Sequence, residues 1–384
     1  MILIHNNYEQ IKSKHLLEIK DNIEQQLKNK LSATILPFQI KYYQIILNNL
    51  ENILIGNKEI LDEINNGNIN KIGLKFFTNF KTIINEYKTN NSGVGSQEKN
   101  RNNLTQFINQ NFAFFNITIT KTSLKEIKKE AISYINTLVN YEELIKDTLE
   151  IFSYKDFVDN DNWGRHKIIS SLNISVCPYC NRQYITNYGE KNNEKTTADL
   201  DHYYPKSKYP YLALSLYNFI PSCQICNSRM KGEKEGHLYP YDEECGDKAI
   251  FKTSNNSING ILNSNVTDFK IEFDIQEHRI TQKEKNNGYL QRLEKSKEIF
   301  KLEEVYETSH NQYILDMLHT IEHYPDSYLD TIAEIFGKKE EPQKKVELKK
   351  ELRNLLKKPY EDRIERNDTL AKLTKDILNE YKSL

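Results

Sequence analysis

Five cysteines occur in this chain of 384 residues, and four of them form two Cys-x-x-Cys pairs, Cys177/Cys180 and Cys223/Cys226. Each pair can present two thiolates from one tight turn, which is half of a tetrahedral zinc site. Two pairs in a cysteine-poor chain favour structural zinc over a redox pair or four unrelated thiols, although the stretch between them exceeds the roughly 15–20 residues of common zinc ribbons. We expect the fifth cysteine, Cys245, to be a small thiol outside the site.

A second group of residues, Asp201-His202, Asn218 and Asn227, lies within and just beyond the stretch that joins the pairs. Histidine can take a proton from water near neutral pH. Carboxylate and amide oxygens are hard ligands suited to Mg²⁺ or Mn²⁺. Basic residues follow each part of the group: Lys206, Lys208, Arg229 and Lys231. A base, a hard metal and cationic charge together predict hydrolysis of a phosphodiester.

In order and spacing, residues 171–240 resemble the HNH endonucleases, also called ββα-metal or His-Me finger nucleases, in their zinc-stapled form. The shared pattern is Cys-x-x-Cys, an acid-His pair, an Asn five positions before a Cys, and Cys-x-x-Cys-(His/Asn)-x-x-x-Lys. Asn227 stands where many members have His, and that Asn form occurs in active members.

The resemblance implies a role for each matching residue. His202 would be the general base, Asp201 and Asn227 would hold one Mg²⁺ or Mn²⁺ ion, and Asn218 would orient the loop that carries His202. The four paired cysteines would bind structural zinc. A β-hairpin would carry His202, and a short helix would carry Asn227. Phosphate contacts would come from Lys206, Arg229 and Lys231.

The amino-acid sequence around the site also resembles that of the nuclease subunit of bacterial Septu-type and retron-linked anti-phage defence systems. The shared motifs are acid-His, Pro-Lys-Ser, Tyr-Pro and Asn-x-x-x-Ser-Cys. This resemblance implies an effector nuclease controlled by an ATPase partner, with nucleic acid as substrate and DNA favoured over RNA. Two alternatives remain open: a nonenzymatic zinc-dependent module that binds nucleic acid, and an HNH nuclease that cleaves RNA, tRNA included.

Two other histidine motifs offer weaker signals. His319-x-x-Glu322-His323 matches the inverted zinc-protease motif, but the apolar residues around it favour an ordinary polar helix face. His237 could approach a metal or a phosphate, although a turn residue in a proline-flanked loop is the favoured interpretation.

The elements that must position these residues are mostly helical. Apolar residues recur at helical spacing through the first 155 residues, with candidate helices at 74–87 and 124–152 and a polar linker at 89–100. Residues 266–275 alternate as a strand, and helical periodicity returns from 284, with breaks expected at Pro325, Pro342 and Pro359. We therefore predict an α+β, mostly helical protein with three regions: helical 1–160, a zinc-stapled nuclease module at 161–280, and helical 281–384.

Composition and charge limit the remaining classes. Lys and Arg number 53 against 54 Asp and Glu, so a net charge of −1 argues against broad coating of nucleic acid. Residues 343–358 are locally basic and could track phosphates or form a solvated helix. No apolar run of about 18 residues and no signal-peptide core are present, so we expect a cytoplasmic protein without membrane association.

Overall fold

The computed structural model describes residues 1–4, 9–67, 73–78, 102–106, 123–138, 141–190, 194–254, 266, 269–322, 326–336 and 342–382. Over these residues the protein is α+β and mostly helical, as the sequence predicts. The predicted linker at 89–100 and most of the candidate helix at 74–87 lie outside them.

The elements follow one another in a long helical series that is interrupted by short strands. The helices are α1 (Glu9–Ala33), α2 (Pro37–Asn48), α3 (Leu50–Ile55), α4 (Lys58–Asn66), α5 (Leu124–Leu138), α6 (Tyr141–Ile151), α7 (Tyr154–Val158), α8 (Arg165–Leu172), α9 (Gln282–Asn286), α10 (Tyr289–Phe300), α11 (Leu302–Glu322), α12 (Asp326–Phe336), α13 (Pro342–Glu365) and α14 (Ala371–Lys382). The strands are β1 (Asn187–Tyr188), β2 (Lys195–Thr196), β3 (Asp199–His202), β4 (Phe219–Ser222), β5 (Ala249–Thr253) and β6 (Ile271–Ile275).

Contacts divide the chain into two compact units. The histidine unit, which contains His202, consists of Asn7–Ser171 and Leu200–Ile220. The cysteine unit, which contains the two Cys-x-x-Cys pairs, consists of Met1–Asn6, Leu172–Asp199 and Pro221–Leu384. The sequence predicts three functional regions, at 1–160, 161–280 and 281–384, and this division stays a prediction.

The histidine unit is built on amphipathic helices. Helix α1 buries Ile11, Ile23 and Leu27, and it also buries His15 on the same stripe. Pro37 begins α2, where its missing N–H costs nothing because the first turn has no acceptor for it. The side chain of Asn57 caps α4 by accepting from the amide of Ile60. Pro37 and Asn57 thus mark the N-termini of α2 and α4.

Strands β3 and β4 pair in a two-stranded sheet, and the loop between them belongs to the histidine unit. We call residues 203–218 the connecting loop. It contains two 3₁₀ turns, Pro210–Leu212 and Leu216–Asn218. Tyr211, fully buried, donates to Asn65 at 2.7 Å, and the hydroxyl of Thr78 donates to the carbonyl of Lys208 at 3.0 Å. The helices thus hold the loop from several sides.

In the cysteine unit, β5 pairs antiparallel with β6 over five register pairs, from Ala249 opposite Ile275 to Thr253 opposite Ile271. Within the segment predicted to be a strand at 266–275, β6 begins at Ile271, which is its first residue with a register partner in β5. Phe251 faces its register partner Phe273, with ring centroids 4.8 Å apart. This sheet packs against α11 and α14.

Of the three helix breaks expected at prolines, two lie in the described residues and have different outcomes. Pro342 begins α13, as predicted, whereas Pro359 lies inside that helix, which continues to Glu365. The break expected at Pro359 was therefore wrong: an interior proline removes one backbone hydrogen bond and crowds the carbonyl four residues earlier, but this helix continues past it. The break expected at Pro325 lies outside the described residues.

Candidate functional site

The two Cys-x-x-Cys pairs meet in the cysteine unit. All four Sγ atoms lie within 4.8 Å of one another, and all four side chains are buried. None of the described cysteines forms a disulfide. A zinc ion bound tetrahedrally at about 2.3 Å from each sulfur would place the sulfurs about 3.8 Å apart. The four thiols therefore need only a small contraction to hold one metal ion.

Backbone donors around these sulfurs suit thiolates. The amide of Arg182 donates to Sγ of Cys180 at 3.4 Å, and the amide of Cys226 donates to Sγ of Cys223 at 3.5 Å. Burial raises the pKa of the Cys177 thiol well above its ordinary value, so a thiolate at this position needs a compensating cation. A divalent ion supplies that charge and deprotonates its thiol ligands. The donor set fits structural zinc.

The first cysteine turn also supports the C-terminal helices. Asn181, which follows Cys180, donates from Nδ2 to the carbonyl of Asp368 at 3.1 Å and accepts from the amide of Lys372 at 3.0 Å. Tyr306 of α11 donates to the carbonyl of Cys180, and Arg182 donates to His310 at 2.9 Å. Both α11 and the start of α14 are therefore hydrogen-bonded to the cysteine turn and the two residues that follow it.

His202 ends β3 inside the histidine unit, with only 8% of its surface exposed. Its Nε2 lies 3.0 Å from the carbonyl oxygen of Ala213. Because a carbonyl can only accept, Nε2 carries a proton in this hydrogen bond. The ring is also packed edge-on against Tyr154 and Phe219, with centroid distances of 4.6 and 5.4 Å. The imidazole is held in one tautomer and one orientation.

Asn218 closes the connecting loop on itself. Its Nδ2 donates to the carbonyls of Leu212 and Tyr204 at 2.9 and 3.1 Å, and its Oδ1 accepts from the amide of Tyr204 at 2.7 Å. The backbone of Asn218 also accepts from the amide of Tyr203 at 2.9 Å. These contacts hold the residues that directly follow His202 against the far end of the loop.

The predicted metal ligands fall in different units. Asp201, 2% exposed, belongs to the histidine unit, and Asn227 belongs to the cysteine unit, where the π-helical turn Ile225–Lys231 carries it. Nδ2 of Asn227 donates to Oδ2 of Asp199 at 3.0 Å. Asp199 was not among the predicted site residues. Its sequence signal is the Asp-x-Asp pattern on β3, because residues two apart on a strand share one face.

The predicted phosphate contacts differ in exposure. Lys206 is exposed, and its Nζ lies 4.5 Å from the centre of the Tyr154 ring; desolvation there lowers the pKa of Lys206. Arg229 is exposed on the π-helical turn. Lys231, in contrast, is only 1% exposed, and its ammonium donates to the carbonyl of Gly232 at 3.4 Å. Two of the three residues thus reach solvent.

Three residues near His202 were not predicted: Tyr154, His15 and Trp163. Tyr154 lies between His202 and Lys206 and donates to the carbonyl of Leu200 at 3.1 Å. No local sequence signal marks Tyr154 or Trp163, because their neighbours in the fold are distant in the chain. His15 could have been noticed, since it is four residues after Ile11 and eight before Ile23 on a buried helical stripe.

The remaining histidine and cysteine candidates have ordinary packing environments. His237 is fully buried, with its ring edge-on to Tyr179 and Phe300, and burial lowers its pKa well below the usual value. Cys245 is fully buried and lies outside the four-cysteine group. His319 lies on α11, whereas His323 of the same motif lies outside the described residues.

Comparison with protein-family models, with curated proteins and with solved structures gave no match for this chain. None of the described helices combines the length and apolar composition that crossing a bilayer requires.

Proposed function

We propose that the protein is a metal-dependent endonuclease of the HNH type that hydrolyses phosphodiester bonds of nucleic acid, with DNA as the favoured substrate. The observation that carries this proposal is the state of His202. Its Nε2 proton is donated to the carbonyl of Ala213, so in the proposed reaction the base is Nδ1. An enclosed histidine with one nitrogen fixed as donor is suited to general-base catalysis.

In the proposed reaction, Nδ1 of His202 removes a proton from water as the water oxygen attacks phosphorus. The P–O bond to the 3′ oxygen breaks, the leaving oxygen takes a proton from solvent water, and His202 later returns its proton to solvent, which leaves a 5′-phosphate and a 3′-hydroxyl. The resemblance assigns a Mg²⁺ or Mn²⁺ ion to Asp201 and Asn227, whose side chains carry the hard oxygen donors that such an ion takes; it would offset the charge of the phosphate and leaving oxygen. Lys206 and Arg229 are exposed and available for phosphate contacts.

The four cysteines have a structural role in this proposal. Zinc bound to Cys177, Cys180, Cys223 and Cys226 would fix the turns that begin and end the cysteine-bearing segment. Since all four are protein ligands and all are buried, no position is open for a substrate. A zinc ion at this site would therefore stabilise the fold and would take no part in phosphodiester cleavage.

A cleavage gel tests the proposal directly. Wild type, His202→Ala and the matched control His278→Ala, which changes an exposed histidine, are incubated with plasmid DNA, single-stranded DNA and total RNA in Mg²⁺, Mn²⁺ or EDTA. Loss of a general base should slow cleavage by about 100-fold or more, and His278→Ala should cleave at the wild-type rate. Wild-type cleavage by His202→Ala would contradict the proposal.

The same gel separates the two other functions. Cleavage of RNA alone would identify an RNA-directed HNH nuclease. Binding of nucleic acid by wild type, with no cleavage by wild type in either metal, would identify a nonenzymatic zinc module. Because the sequence around the site resembles defence nucleases, we also propose an ATPase partner, and the gel is therefore repeated with the product of a neighbouring ATPase gene present.

A further inference from the structure

Three consecutive backbone carbonyls in the connecting loop accept hydrogen bonds from three buried side chains. Leu212 accepts from Nδ2 of Asn218 at 2.9 Å, and Ala213 accepts from Nε2 of His202 at 3.0 Å. Leu214 accepts from Nε2 of His15 at 2.8 Å. We call Leu212–Leu214 the carbonyl turn. Its central carbonyl sets the tautomer of His202, and its outer carbonyls are fastened on either side.

His15 is held in turn by Trp163. The indole Nε1 donates to Nδ1 of His15 at 2.9 Å. Because an indole N–H only donates, Nδ1 of His15 must accept, and Nε2 must carry the proton that goes to Leu214. The three groups therefore form a chain of hydrogen bonds with one direction, from Trp163 through His15 to the carbonyl turn.

Burial makes this chain a fixed part of the histidine unit. The His15 side chain is fully buried, and Phe157 and Phe219 lie edge-on to its ring at 6.0 and 6.4 Å. Phe219 also packs against the ring of His202 at 5.4 Å. Desolvation lowers the pKa of His15 to about 4, so the ring stays neutral near pH 7 and remains able to accept from Trp163.

We propose that His15 and Trp163 are positioning residues for His202, acting through the carbonyl turn. By fixing the carbonyl of Leu214, they hold the neighbouring carbonyl of Ala213 where Nε2–H of His202 must donate, and they thereby keep the proton on Nε2. The catalytic meaning of this arrangement rests on the proposed nuclease function; the control of the tautomer of His202 does not. Helix α1, which carries His15, therefore helps to position His202.

Three substitutions separate positioning from simple packing. Trp163→Phe removes the indole donor and keeps an aromatic ring. His15→Leu removes both hydrogen bonds and keeps an apolar side chain of similar size. His15→Gln keeps an amide N–H for Leu214 and an amide oxygen for Trp163, so it is the conservative variant expected to rescue. His278→Gln is the matched control at an exposed histidine.

The first measurement is the tautomer of His202 from imidazole ¹⁵N spectra of histidine-labelled protein, with the His202 signals assigned by their absence in His202→Ala. Wild type, His15→Gln and His278→Gln should show Nε2–H at His202. Trp163→Phe and His15→Leu should show a mixture of the two tautomers. A wild-type His202 spectrum in a folded Trp163→Phe variant would overturn the proposal, and this variant decides the question if His15→Leu does not fold.

The second measurement is cleavage at saturating substrate. Misplacement of a catalytic group by a fraction of an ångström to about 1 Å costs up to about 100-fold in rate, so kcat should fall about 10- to 100-fold in Trp163→Phe, with KM unchanged. His15→Gln should stay within about threefold of wild type. If wild type cleaves no nucleic acid, the proposed function fails, whereas an altered tautomer in Trp163→Phe still supports the positioning role.

Discussion

At the scale of single residues, one hydrogen bond fixes which ring nitrogen of His202 carries a proton. Its Nε2–H is committed to the carbonyl of Ala213, and the ring is confined by Tyr154 and Phe219. A general base must first be placed so that its lone pair points at the proton it removes. Buried hydrogen bonds supply that aim, because removing a partner leaves a polar group unsatisfied at a cost of about 1–3 kcal/mol.

His15 predicts a specific dependence of stability on pH. Its pKa is lowered from 6.5 to about 4 in the folded protein, so the unfolded chain binds more protons between these values. Stability should therefore be fully present above pH 6.5 and should fall as the pH drops toward 4, by about 3 kcal/mol in total. The groups facing the ring, Trp163, Phe157 and Phe219, do not titrate, so this loss belongs to His15.

Urea unfolding at pH 7 and pH 4.5 measures this effect. His15→Gln has no ionisable ring, so its loss of stability between the two pH values should be smaller than that of wild type by about 2 kcal/mol. The exposed control His278→Gln should follow the wild-type curve. An identical pH dependence in wild type and His15→Gln would show that His15 is not neutral and buried in the folded protein.

At the scale of elements, the first cysteine turn links the four-cysteine group to the C-terminal helices. Asn181, held at a positive φ of 52°, contacts the segment that begins α14, and Tyr306 of α11 contacts Cys180. In this form the turn directs its two thiols toward the other cysteine pair, as binding of one metal ion would require. Loss of the metal should consequently loosen helices that are far from the cysteines in the sequence.

Cys177→Ser tests this link. Wild type should contain about one zinc per chain, and the variant should lose the metal because three ligands no longer complete the tetrahedron. Its melting temperature should fall, and amide hydrogen exchange should increase over 368–382. Cys245→Ser is the matched control, since Cys245 is equally buried but lies outside the group of four. Full zinc content with unchanged melting in Cys177→Ser would contradict a four-cysteine centre.

At the scale of the whole molecule, charge is balanced overall and uneven locally. The net charge is −1, whereas residues 343–358 form a basic part of α13. Within this part, Lys349 pairs with Asp330 at 2.7 Å and Lys358 pairs with Asp362 at 3.3 Å. These two ion pairs offset part of the positive charge of this segment. The protein should therefore bind nucleic acid through few ionic contacts.

Salt dependence of binding measures the number of these contacts. With the inactive His202→Ala protein and a labelled DNA duplex, the logarithm of the affinity should fall with the logarithm of salt with a slope of about −3 or shallower. Lys206→Ala should reduce that slope by about 1, whereas Lys283→Ala, at an exposed lysine of α9, should leave it unchanged. A slope near −6 would instead support phosphate contacts along α13.

The sequence by itself determined the features that depend on local chemistry. The Cys-x-x-Cys pairs predict a four-sulfur group because each pair needs only one turn, and the structure brings all four sulfurs within 4.8 Å. Helical periodicity predicts an α+β, mostly helical protein because each amphipathic helix records its buried face in its own residues. The ends of elements were less predictable, as the late start of β6 at Ile271 shows.

Only the tertiary structure decided the features that depend on residues far apart in the chain. His15 and Trp163 are 148 positions apart, and His15 and Leu214 are 199 apart, so no local pattern joins them. The burial of Lys231 and the contact between Asn227 and Asp199 are likewise set by the packing of neighbouring segments. Residue types and spacing can nominate a base such as His202, but the position of its proton is determined by the carbonyl that the folded chain places beside it.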